Sequence, residues 1–292
     1  AGAFLVPPEF STEIIENLRA KAVVRQTGAR VYPINTDTIR FPRVGSSTVG
    51  SWMEGEDTDK SGTDMSFEQV ELVLKEYAGL WYVSNALIKH SSPAVDTIIK
   101  DDITTTLSLA EDLAFLEGVG GSQPLGIYNY PGIGSTTLNG ALTRNTLLDA
   151  VSAIQANNAE PTGWVMHPRV KNSISKLVDS VGQPIFYLDG DKSMVQKVPE
   201  TLLGIPIYLS TQVSVSCDSS GNLSGGSQSY VLLGDWKDFA IAQDAGAALE
   251  LEVSREGGNA WARNQTSFRA TIRRDCAPRH PASFYKIEAV TY

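Results

Sequence analysis

The side chains that most often carry catalysis or hold metals are few in this chain of 292 residues. There are two cysteines and three histidines, and none of them has the spacing of a CxxC or HExxH metal motif. They are Cys217, Cys276, His90, His167 and His280. So few thiols in a chain of this length do not make a disulfide framework. The pattern predicts two unpaired thiols and no structural zinc.

The chain also lacks the usual phosphate-binding and nucleophile motifs, GxxxxGK[ST] and GxSxG. Gly120 and Gly121 follow a predicted helix, not a strand, so they indicate a helix end and not a dinucleotide loop. Asp189 and Asp191 lie in a turn without the later Glu of a calcium loop. His167 has no nucleophile pattern beside it, so we interpret it as a helix start. We predict no catalytic residue, no cofactor and no metal.

Charge and hydropathy argue against two further classes of function. The chain has 24 basic and 33 acidic side chains, a formal net charge of −9. A general nucleic-acid binder needs a positive surface to neutralise phosphates, so this balance argues against one. Hydrophobic residues make up 42% of the chain, but its apolar runs are too short to cross a bilayer, which excludes a transmembrane protein.

Charges of opposite sign cluster in different parts of the chain. One acidic cluster is opposed only by Lys60 and consists of Glu54, Glu56, Asp57, Asp59 and Asp64. Basic residues cluster near the N-terminus (Arg19, Lys21, Arg25, Arg30) and near the C-terminus (Arg263, Arg269, Arg273, Arg274, Arg279). The N-terminal cluster is either solvated or lies on an acidic neighbour. The C-terminal cluster suits nucleic acid or the acidic cluster of a second copy, and we favour the second copy because complementary patches promote self-association.

Two extended runs, Thr38 to Val44 and Phe67 to Val83, flank the acidic cluster. Apolar residues alternate with polar ones in the second run, which is the period of a half-exposed strand. The runs predict a long hairpin with an acidic tip. A lone two-stranded ribbon is marginal in water, so the hairpin is expected to lie on another subunit.

A long helix is predicted next, capped by Ser92 with Pro93 in its first turn and ended by Gly118. About 25 residues would form a rod of roughly 37 Å. The predicted elements that follow are a helix from Asn145 or Thr146 to Gln155, a strand at Trp164 to Met166, a helix from Pro168 to near Ser180, a strand at Leu203 to Leu209, a polar loop at Cys217 to Gln228, and late strands at Tyr230 to Leu233, Leu249 to Val253, Ser267 to Arg274 and Ala282 to Ala289. The late strands have no helices after them, so we expect them to form a sheet against the long helix.

Several segments, in this order, carry a family resemblance. They are KEYAGLWYVSNALIKHSSPAVDTIIKDDI, GGSQPLGI, WVMHPRVKNSISKLVDSVGQPIF, LLGIPIYLS, LLGDWKDFAIAQDAGAALELEVSREG and NQTSFRATIRRDCAPRHPASFYKIEAV. The chain resembles the major capsid proteins of tailed bacteriophages with the Hong Kong 97-type fold, which encapsulins and gene-transfer-agent shells share. The specificity comes from the co-linear order of the segments, because none of them is a strict motif.

The resemblance implies an α+β chain with an N-terminal arm, an extended E-loop hairpin, a peripheral domain and an axial α/β domain. The arm would be residues 1–35 and the E-loop 36–78. The peripheral domain, residues 79–125 and 236–292, would have a long spine helix and a sheet, and the axial domain would be 126–235. Ser254 to Asn264 would be a loop that meets its mates at local threefold axes.

The resemblance also implies a structural protein that self-assembles into hexamers and pentamers of an icosahedral head shell. The shell would enclose double-stranded DNA without sequence-specific binding and without a membrane. Portal protein and a scaffold or protease would take part during assembly in the host cytoplasm, and the finished protein would be in the virion. Expected intersubunit contacts are Glu54, Glu56, Asp57, Asp59, Lys60, Arg255, Glu256, Arg263, Asn264, Arg273 and Arg274. The alternative is an encapsulin-like compartment that encloses a cargo enzyme. A third option, a soluble hydrolase, would need catalytic residues that the sequence lacks.

Two features of family members concern covalent processing. Some members crosslink a Lys to an Asn with a Glu as base. Here Asn264 has the place of the Asn, but Thr271 and Gln69 stand where the Glu and Lys are expected, so we predict a shell without crosslinks. Many members lose an N-terminal segment to a protease, and a chain that starts at Ala1 is expected to be such a mature form.

Overall fold

The computed structural model describes residues 19–46, 48, 52, 64–90, 95–178, 201–246, 249–256, 258 and 260–292. The helices within these residues are α1 (Asn85–His90), α2 (Val95–Glu117), α3 (Arg144–Ala156) and α4 (Pro168–Ser175). The strands are β1 (Arg30–Ile34), β2 (Thr38–Ser46), β3 (Ser66–Val73), β4 (Lys75–Ser84), β5 (Gly134–Ala141), β6 (Gly163–Met166), β7 (Thr201–Leu202), β8 (Ile205–Leu209), β9 (Ser229–Gly234), β10 (Phe239–Asp244), β11 (Glu250–Ser254), β12 (Gln265–Pro278) and β13 (Phe284–Thr291). The predicted α+β class is confirmed.

The first sheet is built on the 14-residue strand β12. Strand β4 pairs antiparallel with β12 along one edge, β10 and β11 pair antiparallel with its other edge, and β1 lies parallel to β10. Alternate residues of β12, including Phe268 and Ile272, are buried against Ile103 and Leu107 of helix α2. The 23 residues of α2 span about 34 Å. The predicted long helix, and its packing on late strands, are therefore confirmed.

The second sheet has the order β5-β13-β9-β6-β8-β7. Every residue of β6 and β9 is buried, so both faces of these central strands are covered. Apolar residues of α3 and α4, among them Leu147, Ile154 and Ile174, pack with Trp164 and Val231 of the sheet. Helix α3 begins with a capping box between Thr143 and Thr146, so its N-cap lies two residues before Asn145, the earlier of the two predicted starts.

A shared core joins the two sheets. Trp236, Phe239 and Phe284 contact one another edge to face, with ring centroids 5.6–6.2 Å apart. Phe115, near the end of α2, adds a fourth ring 6.3 Å from Phe239. Edge-to-face pairs add to the stabilisation that apolar burial provides. The end of the spine helix is thereby fixed against both sheets.

The predicted hairpin is present as an antiparallel ribbon of β2 and β3, but it is shorter than expected. The second predicted run breaks at Leu74, whose N–H donates to the carbonyl of Asp37 (2.9 Å). Beyond it, β4 leaves the ribbon and pairs with β12. The prediction of one continuous strand to Val83 was wrong, because alternation has the same period whichever strand is the partner.

The late strands divide between the sheets, and the prediction of one sheet on the long helix is wrong for β9 and β13, which lie in the second sheet. Strand β13 pairs with β5 and β9, so segment 236–292 contributes to both sheets. The predicted strand at Leu203 to Leu209 is a short hairpin, because Leu203 and Gly204 have positive φ and form a turn. Helix α4 ends at Ser175, before the predicted Ser180. Strands β1, β5, β7 and β10 and helix α1 were not among the predicted elements.

The N-terminal segment that the structure describes packs on its own chain. Val23 and Val24 are buried in the shared core, and β1 is a strand of the first sheet. Residues 19–34 therefore do not form a free arm. No helix within the described residues has both the length and the apolar character needed to cross a membrane.

Candidate intersubunit surfaces

The acidic tip of the ribbon, with Glu54, Glu56, Asp57, Asp59 and Lys60, lies outside the described residues. The described part of the ribbon has two different faces. Ile39, Phe41, Val70 and Leu72 pack on the first sheet. The opposite face carries Val44 and Phe67, which pair across the strands and are 49% and 72% exposed. The ribbon thus presents an apolar pair to solvent, which the sequence reasoning missed because it concentrated on charges.

The loop of residues 255–264, here called the β11–β12 loop, carries most of the other predicted contact residues. Arg255, Glu256, Arg263 and Asn264 are all exposed. The same loop carries Trp261, an exposed aromatic residue that the sequence reasoning did not single out. The described residues of this loop thus include two arginines, a glutamate and an indole, all of them exposed.

The β11–β12 loop is held by hydrogen bonds at its end. The carbonyl of Asn264 accepts from the backbone N–H of Asn85 (3.1 Å), and its side-chain oxygen accepts from Asn85 Nδ2 (2.8 Å). Thr266 Oγ1 in turn donates to Asn85 Oδ1. Asn264 has a φ of 52°, in the left-handed region that Asn tolerates better than most residues. These bonds fix the backbone from which the exposed side chains project.

Arg273 lies on the face of the first sheet that points away from α2. Its guanidinium forms an ion pair with Glu76 of β4 (3.0 Å), and both side chains are about half exposed. Arg269 pairs with Glu252 of β11 on the same face. This face is therefore a row of exposed ion pairs, and each of them is expected to contribute little to the stability of the subunit.

Arg274 does not lie with the other basic residues. Its side chain is 6% exposed, and its Nε lies 3.7 Å from Oε1 of Glu111 on α2. Arg25 donates to the same carboxylate from 2.6 Å. Burial lowers the pKa of Arg274, and Glu111 opposes that shift. The sequence predicted both Arg273 and Arg274 as intersubunit contacts, but neighbouring strand residues point to opposite faces, so Arg273 is outside and Arg274 inside the subunit.

The basic N-terminal cluster meets acidic residues of its own spine helix. Arg19 forms an ion pair with Asp102, and Arg25 does so with Glu111. Between them, the N–H groups of Val23 and Val24 donate to Oδ1 of Asp112 (2.9 and 2.8 Å). Burial raises the pKa of Asp112 to about 6, although the two N–H donors oppose the shift. No sequence signal distinguishes Asp112 from the exposed acids of α2.

In the described part of the chain, a serine, a histidine and an aspartate lie close together at Ser283, His280 and Asp238. His280 Nδ1 lies 2.6 Å from Asp238 Oδ2, and Ser283 Oγ donates to that same oxygen (3.3 Å). The serine and the histidine thus bind the carboxylate and not each other, so there is no pair of nucleophile and base. His167 Nδ1 accepts from the N–H of Arg169 (3.1 Å), which confirms its interpretation as a helix start.

The two cysteines are free, as predicted, and both are buried. Burial, assisted by Glu117, raises the pKa of Cys217 to about 11, so its thiol stays protonated and unreactive at neutral pH. Within the part of the chain that the structure describes, no group of three or more His, Cys, Asp or Glu side chains is placed to hold a metal ion.

Relatives in sequence are capsid proteins of phages. The major capsid protein of Klebsiella oxytoca phage phiKO2 is 27% identical over 302 residues, which cover 96% of this chain and 67% of that protein. The capsid polyprotein of Pseudomonas phage PAJU2 is 25% identical over 279 residues, which cover 88% of this chain and 40% of that protein. The chain therefore spans about two thirds and two fifths of the length of these relatives.

Solved structures with the same fold include the capsid of a GTA particle and a structure from a phage. The capsid protein of a native GTA particle superposes on this chain with a TM-score of 0.78 and 20% sequence identity. The superposed residues cover 99% of this chain and 97% of the GTA chain. A structure from Gordonia phage Cozz superposes with a TM-score of 0.73 and 16% sequence identity, and the superposed residues cover 99% of this chain and 92% of the phage chain. This confirms the Hong Kong 97-type fold that the sequence resemblance implied. The model of the phage capsid family matches residues 2–289, so the chain belongs to the phage capsid family.

Proposed function

We propose that this chain is the structural subunit of an icosahedral phage head shell and that it assembles with copies of itself. The exposed pair of Val44 and Phe67 carries the proposal. A two-stranded ribbon with an apolar outer face is unfavourable in water unless another surface covers that face. A neighbouring subunit supplies such a surface, and membership of the phage capsid family supports that assignment.

The parts of the chain take the following roles in the proposal. The ribbon of residues 36–73 overlaps a neighbouring subunit. The first sheet and helix α2 form the peripheral domain, and the second sheet with α3 and α4 forms the axial domain that contacts its equivalents in hexamers and pentamers. Arg255, Glu256, Arg263 and Asn264 of the β11–β12 loop contact neighbours, and Arg273 remains a candidate contact at the exposed face.

The proposed shell encloses double-stranded DNA without reading its sequence, because the net charge of −9 disfavours tight binding to phosphates. Assembly takes place in the host cytoplasm with a portal protein and a scaffold or protease, and the product is the virion. Neither catalysis nor a cofactor belongs to this role. The encapsulin-like alternative has no support among the relatives and structures named above, which are phage and GTA capsids.

Negative-stain microscopy and sedimentation velocity of the purified protein, over a range of salt and protein concentrations, test the proposal. Closed shells of uniform diameter are expected. Monodisperse monomers under all conditions would contradict it. Particles from phage-producing cells should also protect DNA from nuclease, whereas particles that contain an enzyme in place of DNA would support the compartment alternative.

A further inference from the structure

A cavity of about 420 Å³ lies between the second half of helix α2 and the first sheet. Its walls are mainly apolar and include Ala110, Leu113 and Ala114 of α2, Tyr77 of β4 and Ile272 of β12. Ala110 and Ala114 are one turn apart on the same side of the helix, and their short side chains leave the space open. The volume is within the range of sites that bind small molecules, roughly 300–1,000 Å³.

Two basic residues, Lys75 of β4 and Arg274 of β12, line the same cavity. They are directly opposite each other in the antiparallel pairing of these strands, so both side chains are on the face of the sheet that α2 covers. The Cβ atoms of such a pair are about 4.5–5.5 Å apart, and two like charges placed there repel each other. An anion between the two side chains would remove this repulsion.

The carboxylates in the described wall of the cavity are held by other groups. Their contacts are Glu76 with Arg273 (3.0 Å), Glu111 with Arg25 (2.6 Å) and Glu117 with the hydroxyl of Tyr230 (2.7 Å). Glu111 also lies 3.7 Å from Nε of Arg274, which is longer than a hydrogen bond. These acids therefore neutralise the two cations only in part.

Two further acids act on the pair of cations from outside the cavity wall. Burial lowers the pKa of Arg274, and Glu111 and Asp244 oppose that shift without cancelling it. Burial raises the pKa of Asp275, and the charge of Lys75 opposes that shift. Asp275 follows Arg274 in β12, so its side chain points to the opposite face, where it accepts a backbone N–H of the ribbon (2.7 Å). A further anion inside the cavity would therefore stabilise both basic side chains.

We propose that this cavity binds the anion of a straight-chain fatty acid, with its carboxylate between Lys75 and Arg274 and its hydrocarbon chain along the apolar side of α2. A small inorganic anion would leave the apolar walls exposed to water, and an uncharged hydrocarbon would leave the two cations beside each other. A ligand with both parts satisfies both, because burial of the chain is favourable and a guanidinium binds a carboxylate through parallel N–H groups. The site lies within one subunit, so it does not depend on the proposed shell.

Isothermal titration calorimetry with decanoate tests the proposal on the purified chain, kept below the concentration at which shells form. At neutral pH and low salt, one decanoate is expected to bind per chain and to raise the temperature of thermal unfolding. Decanol has the same chain length but no charge, and it should bind about tenfold more weakly because it lacks the charged hydrogen bonds. Added salt should weaken the binding of decanoate and not that of decanol.

Two variants locate the ligand, and a third serves as the control. Lys75→Gln should weaken decanoate binding about fivefold or more and leave decanol binding unchanged. It should not lower the stability of the free chain, because it removes a charge that repels Arg274. Ala114→Leu fills the cavity and should weaken the binding of both probes at least about tenfold. Lys237→Gln removes an exposed lysine that does not line the cavity and should bind both probes like the wild type.

Several results would overturn the inference. They are no binding of decanoate to the wild type, equal affinities for decanoate and decanol, and unchanged decanoate binding by Lys75→Gln. Decanoate binding by an Ala114→Leu chain that is folded by circular dichroism would also overturn it, because the ligand would then lie elsewhere. If Ala114→Leu does not fold, Lys75→Gln decides alone, since its side chain is at a partly exposed position. These results leave the proposed shell function untouched, because none of them measures assembly.

Discussion

Asp112 is a buried carboxylate whose replacement tests how the N-terminal segment is held on the spine helix. Its side chain is 3% exposed, and its Oδ1 accepts the N–H groups of Val23 and Val24. Asp112→Ala leaves both donors without an acceptor. Each buried and unsatisfied donor costs roughly 1–3 kcal/mol, and water that enters the space recovers part of this. At pH 4, where Asp112 is protonated in the folded chain, we expect a loss of about 2–4 kcal/mol in the free energy of unfolding.

The isosteric change Asp112→Asn separates hydrogen bonding from charge. The amide oxygen still accepts both N–H groups, but the side chain no longer ionises. Burial raises the pKa of Asp112 from 3.8 to about 6, so the folded state holds this proton to a higher pH than the unfolded state. Between those two values the folded chain binds more protons, and the stability that this group contributes falls as the pH rises.

The size of the pH effect follows from the shift. Two pKa units correspond to about 3 kcal/mol. This contribution is fully present below about pH 4 and is lost above about pH 6. The free energy of unfolding of Asp112→Asn, relative to the wild type, should therefore increase by about 3 kcal/mol from pH 4 to pH 7.

Urea unfolding of unassembled subunits, followed by circular dichroism at pH 4, 5, 6 and 7, measures both effects. Asp101→Ala and Asp101→Asn, at an exposed position on the same helix, are the matched controls and should stay within about 0.5 kcal/mol of the wild type. The difference in the free energy of unfolding between Asp112→Asn and the wild type should increase with pH. If this difference stays constant or decreases, the carboxylate of Asp112 is not buried in the way described. If Asp112→Ala is as stable as Asp101→Ala at pH 4, Asp112 does not hold the N-terminal segment on α2.

Three further predictions concern packing, buried charge and covalent state. Phe268→Ala should destabilise the subunit by about 3–5 kcal/mol because its ring is buried under α2, whereas Phe67→Ala should leave subunit stability unchanged and weaken assembly. Glu111→Ala should cost more than about 1 kcal/mol because its largely buried carboxylate pairs with both Arg25 and Arg274, whereas Glu252→Ala, at an exposed ion pair, should cost less than about 1 kcal/mol. Both pairs are measured by urea unfolding, with light scattering for assembly. Boiled particles should run on a denaturing gel as one band at the mass of a single uncrosslinked chain.

Each of these predictions has a result that would contradict it. Normal assembly of Phe67→Ala would remove the main support for the role of the ribbon. Equal effects of Glu111→Ala and Glu252→Ala would show that burial of the first pair does not matter in solution. A ladder of covalent multimers on the gel would contradict the predicted shell without crosslinks.

The elements with a strong local signal were predictable. Helix α2 follows from apolar residues at helical spacing, and β3 follows from alternation, because each pattern lies within one segment. The exposed residues Arg255, Glu256 and Arg263 were also placed in the correct loop, through the family resemblance. In contrast, Trp261 and the pair of Val44 and Phe67 were missed, because exposure depends on what packs nearby and not on residue type alone.

The sequence by itself determined the class of the protein: its α+β content, its lack of catalytic motifs and its membership of the phage capsid family through segments in co-linear order. Only the tertiary structure decided that β4 leaves the ribbon for β12, that Arg274 is buried beside Glu111, and that Asp112 anchors the N-terminal segment. The physical reason is that a local pattern encodes the period and the apolar face of an element. The partner of that face is set by residues far away in the chain, as in the pairing of Ala78 with Thr271.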